Sequence, residues 1–135
     1  MNLTLQDFKI FFIDLLFLLI AEVIWNFIAL FLTLKIFKLK ELLYSAKFYY
    51  YISGGAISSS LVDRGFKSIL NTDFLKGIFG GNLIYIFMTI SIVFLIIIHF
   101  YFCYLILDLD GKTSLKLALI LGILTAPWPT FISKL

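Results

Sequence analysis

From Leu83 to Leu107 the chain runs for 25 residues without a formally charged side chain, His99 being the one residue there able to take up a positive charge. At about 1.5 Å of rise per residue, a helix of that length outreaches the roughly 30 Å hydrocarbon core of a bilayer. A second run, Leu15 to Leu34, has 20 residues bounded by Asp14 and Lys35 and matches the same thickness. Two such runs in 135 residues exclude a water-soluble fold. The chain is 62% hydrophobic and 14% charged, against about 45–50% and about 25% in soluble domains, and a chain this short cannot bury so much apolar surface in its own interior. The expected fold is an all-α integral membrane protein, a single transmembrane domain over residues 1–135 with three to four membrane helices and a short amphipathic interfacial segment.

Two regions carry weaker signals. Leu42 to Val62 holds Lys47, a tyrosine group at 44, 49, 50 and 51 of the kind that sits at headgroup level, and a small-residue stretch from Ser53 to Ser60. It either crosses the membrane or forms a loop. If helical, Gly54 with Ser58 and Gly55 with Ser59, each pair four residues apart, let another helix approach closely. From residue 65 to 81 the apolar positions Phe66, Ile69, Leu70, Phe74 and Ile78 recur at helical spacing with Lys67, Asp73 and Lys76 elsewhere on the wheel, predicting one or two short helices in the interface. Asn71-Thr72 is placed to cap the second of these and Gly80-Gly81 to end it.

After a polar turn at 108–113, with Thr113 or Ser114 as cap, a last helix runs from Leu115 to Ala126. Pro127 and Pro129 predict a kink or stop near Thr125. Twelve residues cover only about 18 Å, so the span, 115–132, is either short or completed by the tail beyond the prolines. Orientation depends on the weak region. If 42–62 does not cross, seven basic residues lie between 35 and 82 and the positive-inside rule leaves the N-terminus non-cytoplasmic. If it crosses, Lys35, Lys38, Lys40, Lys47, Lys112 and Lys116 face Lys9, Arg64, Lys67, Lys76 and Lys134, six against five. The net charge of +3 rests on these flanking lysines and implies no nucleic-acid partner.

Candidate chemistry is sparse. Glu22 stands about two turns inside the first span, where a carboxylate is costly unless protonated, paired or facing water. Asn26 shares its face one turn on. These are the candidate proton- or cation-binding residues. The alternative is a polar contact joining this helix to Lys47, to a serine of the 58–60 group, or to another subunit. Ala21-Glu22-Val23-Ile24 is similar to the sequence around the essential glutamate of the small multidrug resistance transporters, four-helix dimers; the resemblance implies an ion-binding role for Glu22. It covers four residues, and the family's Trp-Ser-Gly stretch has no counterpart.

His99, the sole histidine, is a candidate haem b ligand if a second subunit supplies the other axial position. A lone histidine in a middle helix followed by the acidic turn at Asp108 and Asp110 resembles the membrane anchors of succinate dehydrogenase. The bland alternative is a hydrogen bond to a neighbouring helix. No site of three or four metal ligands is foreseen, and the single Cys103 allows no intrachain disulfide. Tyr104 to Gly111 looks like the aspartate motif of haloacid-dehalogenase-type phosphatases but lacks the α/β scaffold. Gly111-Lys112-Thr113 lacks the first glycine of a phosphate loop, and Asp108-x-Asp110 lacks the closing glutamate of a calcium loop. With no serine–histidine–acid set and no carboxylate foreseen beside Glu22, the chain reads as no enzyme. The leading expectation is an anchor, accessory or assembly subunit of a membrane complex, its partners the bilayer and other subunits or itself. The alternatives are a small oligomeric proton- or cation-coupled transporter or channel using Glu22, and a haem-anchoring subunit.

Overall fold

A capping box starts the first helix. In the computed structural model, which describes residues 4–134, the Thr4 hydroxyl accepts from the Asp7 amide and the Asp7 carboxylate accepts from the Thr4 amide, satisfying donors that a helix N-terminus otherwise leaves open. Helix α1 runs from Leu5 to Ile36, ten residues earlier than the apolar run at 15–34 foretells. Its 32 residues make about 48 Å of helix, well beyond a bilayer core. A connector containing a 3-10 turn at Lys40–Leu42 leads to Ser45, whose hydroxyl caps α2, Ala46–Leu70.

Helix α2 revises the boundaries drawn from the sequence. The residues divided there between a doubtful span at 42–62 and an interfacial segment at 65–81 form one unbroken helix through Asp63, Arg64 and Gly65. Only α3, Asp73–Phe79, stands as a separate short helix, begun at Thr72 and stopped at Gly80, whose φ of 57° suits a residue without a Cβ. Helix α4 follows as Leu83–Leu105, then α5 as Gly111–Leu124 and α6 as Trp128–Lys134. Asp110 caps α5 by accepting from the Thr113 amide at 3.1 Å, in place of the Thr113 or Ser114 cap read from the sequence. Hydrogen bonds from Thr113 hold its carboxyl below the usual aspartate range.

Three stretches are long and apolar enough to cross a membrane: Leu5–Ile36, Asp73–Leu105 and Gly111–Ser133. With no strand among the described residues, this is an all-α, multi-pass membrane fold. Helix α2 runs antiparallel to α1 along most of its length, Phe48 packing on Phe27 near one end and Arg64 lying over the Phe11 ring near the other. It also packs against α4 through Tyr51 on Phe102. Four helices thus lie side by side, and the basic residues divide six against five between the two ends, so charge selects neither end as cytoplasmic.

The interior is stratified. One apolar cluster gathers Leu30, Leu34, Phe48, Cys103, Leu107 and Leu117, and a second gathers Phe66, Leu70, Leu83, Met88 and Leu95. Between them sit buried polar residues, Ser59, Ser60 and Asp63 on α2, His99 on α4 and Thr125 beyond α5, and on α1 Asn26 is buried one turn before the first cluster. The outside of α4 is apolar instead, with Ile90, Val93, Phe94 and Ile97 exposed for lipid to cover.

A cleft at the broken helix

Helix α5 stops at Leu124 because Pro127 has no N–H to continue the ladder and disfavours helical backbone at Ala126. Carbonyls left open at such a break are costly away from water. The chain's two tryptophans close them. Trp25 Nε1–H donates to the Leu124 carbonyl at 2.7 Å, reaching across from α1, and Trp128 Nε1–H donates to that of Ile123 at 2.6 Å. The break and the two indoles form one wall of a cleft of about 530 Å³. Leu18, Ala21 and Glu22 of α1 and Asp63 and Lys67 of α2 form the rest.

Three charged side chains meet in this cleft. Asp63 is buried; its Oδ1 accepts from the Thr130 hydroxyl at 2.6 Å and its Oδ2 faces Lys67 Nζ at 3.0 Å. Lys67, four residues on along α2, keeps about half its side chain exposed. Glu22 is half-buried and lines the same cleft as both. The sequence foresees no carboxylate beside Glu22 and offers it Lys47, a serine of the 58–60 group or another subunit as a contact. The fold corrects both points: Asp63 and Lys67 share the cleft with Glu22, and Lys47 pairs instead with Asp108 at the far end of α2. A signal for Asp63 was present, since an acid four residues before a base favours a continuous helix.

The other candidate residues serve packing. Asn26 lies outside the cleft lining; it is buried, and its Nδ2 donates to the Glu22 carbonyl at 2.8 Å, which separates it from Glu22 as an ion-binding partner. Gly55 makes room for it: a Cβ there would stand 2.6 Å from Asn26 Oδ1. Gly54 does the same for the Phe102 ring. Ser58 bonds to the Gly54 carbonyl of its own helix, while Ser59 is buried and its hydroxyl has no partner among the described residues. Gly122 makes the closest approach, since a Cβ there would lie 2.5 Å from Ile96 Cγ1 and 2.8 Å from the Ile96 backbone nitrogen.

His99 is locked inside the bundle. Its Nδ1 bonds the Tyr51 hydroxyl and its Nε2 bonds Thr125 Oγ1 at 2.8 Å. Because the Thr125 hydroxyl donates to the Leu121 carbonyl at 2.7 Å, it accepts from His99, which places the ring proton on Nε2 and makes Tyr51 the donor to Nδ1. With both nitrogens engaged and the ring 1% exposed, His99 does not fit haem ligation. No group of three or more potential metal ligands occurs among the described residues. No protein-family model, curated protein or solved structure matches the chain. The four-residue likeness around Glu22 therefore carries no family assignment.

Proposed function

We propose that this protein is a small membrane carrier in which Glu22 and Asp63 bind a proton or a monovalent cation in exchange for cargo. The observation that carries the reading is that two carboxylates, Glu22 and the Lys67-paired Asp63, share a cleft walled by a broken helix. Ionised together, the three groups leave one negative charge uncompensated, which a proton or cation neutralises. Discontinuous membrane helices line the binding sites of many secondary transporters because unwound backbone is tolerated only where protein or a cavity satisfies it. The test is proton flux into liposomes carrying the protein, followed with an enclosed pH-sensitive dye. Glu22→Gln, confirmed by elution profile to be folded, is expected to lose at least about tenfold of the flux, the loss of about 1.4 kcal/mol of coupling. Flux unchanged in that variant would overturn the reading.

A second reading, an anchor or assembly subunit, draws on a different feature. The first turns of α1 are exposed on every side, with Phe8, Ile10, Phe11, Phe12 and Ile13 each at least half exposed. Apolar surface of that extent beyond a bilayer-length segment suits contact with another subunit or a second copy.

A further inference from the structure

The cleft has a polar end and an apolar wall, and one side chain of the protein itself illustrates what fits. Lys67 is an ammonium on a four-carbon stem, and its Nζ sits 3.0 Å from Asp63 Oδ2. Thr130 holds the other Asp63 oxygen, so the carboxylate is fixed with one oxygen turned to the ammonium. Glu22 lines the same cleft and adds a second carboxylate to its polar end. Behind them the lining is hydrocarbon and aromatic: Leu18, Ala21, Trp25, Pro127 and Trp128. Both indole N–H groups are already spent on carbonyls, so the rings are fixed and can offer only their faces and edges, surfaces that attract cations and alkyl groups.

We infer that this cleft binds amphipathic primary amines, the ammonium head taking the place of Lys67 on Asp63 and the alkyl body lying along Trp25, Pro127 and Trp128. The inference deepens the carrier reading and rests on it for what binding accomplishes. A bare alkali ion suits the cleft less well, because it needs several hard oxygens and one of Asp63's is held by Thr130. A neutral or anionic amphiphile has no cation to set in place of Lys67 and would leave the Asp63 carboxylate unpaired. The exchange conserves charge: one ammonium leaves Asp63 as another arrives, and Lys67, half exposed already, turns outward to solvent. The cleft's volume lies within the roughly 300–1,000 Å³ of small-molecule sites.

Trp25 and Trp128 are the chain's only tryptophans and both line the cleft, so tryptophan fluorescence excited selectively over the tyrosines reports from it alone. The protein in phosphatidylcholine nanodiscs is titrated with octylammonium, octanol and octanoate at pH 7. Octylammonium is expected to give a saturable change at least about tenfold tighter than octanol, with octanoate weaker still. Lys67→Met, which removes the tethered competitor, tightens octylammonium severalfold, and Asp63→Asn brings it level with octanol. Equal affinity for octylammonium and octanol in the unaltered protein overturns the inference without reliance on any variant, and so does an unchanged affinity in Lys67→Met. Proton flux that depends on Glu22 together with no preference for the amine removes the ligand class and leaves the carrier. Amine binding with flux indifferent to Glu22 removes the carrier and leaves the site.

Discussion

Tyr51, His99 and Thr125 bring three parts of the chain to one point with every donor aimed at an acceptor. Buried polar groups so satisfied specify one arrangement of helices, and an orphaned one is expensive. In His99→Leu the Tyr51 hydroxyl is left buried without its acceptor, at an expected cost of roughly 1–3 kcal/mol. Adding Tyr51→Phe removes the orphan. The double variant should therefore unfold at a higher temperature than His99→Leu alone, read by circular dichroism in detergent. Simple addition of two losses would show that the two side chains do not act together. The lone histidine was visible in the sequence, together with its bland alternative of a bond to another helix. Its partners were not, because Tyr51 and Thr125 lie 48 and 26 residues away.

Helices meet closely here where a glycine permits it, and the three contacts differ in what they touch. Gly122 faces the backbone of α4, where a Cβ would stand 2.8 Å from Ile96 N and 2.9 Å from its Cα. Gly54 faces the edge of the Phe102 ring at 3.0 Å, and a ring can turn aside. Gly122→Ala should therefore cost about 1–3 kcal/mol or more through forced separation of α4 and α5, and Gly54→Ala clearly less. Thermal unfolding of the two variants side by side checks the order, and a milder Gly122→Ala would refute the backbone contact. The stop near Thr125 was legible from Pro127 and Pro129, since a missing N–H is a property of the residue wherever it sits. Its repair by Trp25 was not, since that indole comes from 99 residues earlier.

Seen whole, the bundle leaves one element over-long. Helix α1 exceeds a bilayer core by about ten residues, and its surplus turns carry large apolar side chains with Arg64 over Phe11 as the one aromatic–cation contact there. If those turns serve assembly, the protein extracted from its native membrane in mild detergent has the mass of a homo-oligomer or of a complex with stoichiometric partners. Native mass determination checks this, and a lone monomer in every mild detergent would count the assembly reading out. Deletion of residues 1–10 should then shift the mass towards the monomer while leaving α2, α4 and α5 packed as before.

What the residues determined by themselves is what depends on local chemistry. The membrane class, the cores of the spans at 15–34 and 83–107, the glycine stop at Gly80 and the break at Pro127 all follow from hydropathy, glycine's conformational freedom or a fixed dihedral. Only the tertiary structure decided the course of α2 and the company of Glu22. Hydropathy scores a polar residue as a cost whichever way it faces, so Ser59, Ser60 and Asp63 weakened the signal of a helix whose polar face is turned inward. Whether a carboxylate stands alone or meets Asp63 and Lys67 depends on which helix lies beside α1. That choice is made by the fit of Gly55 against Asn26 and of Trp25 against the open end of α5, contacts between residues far apart in the chain that no window along it contains.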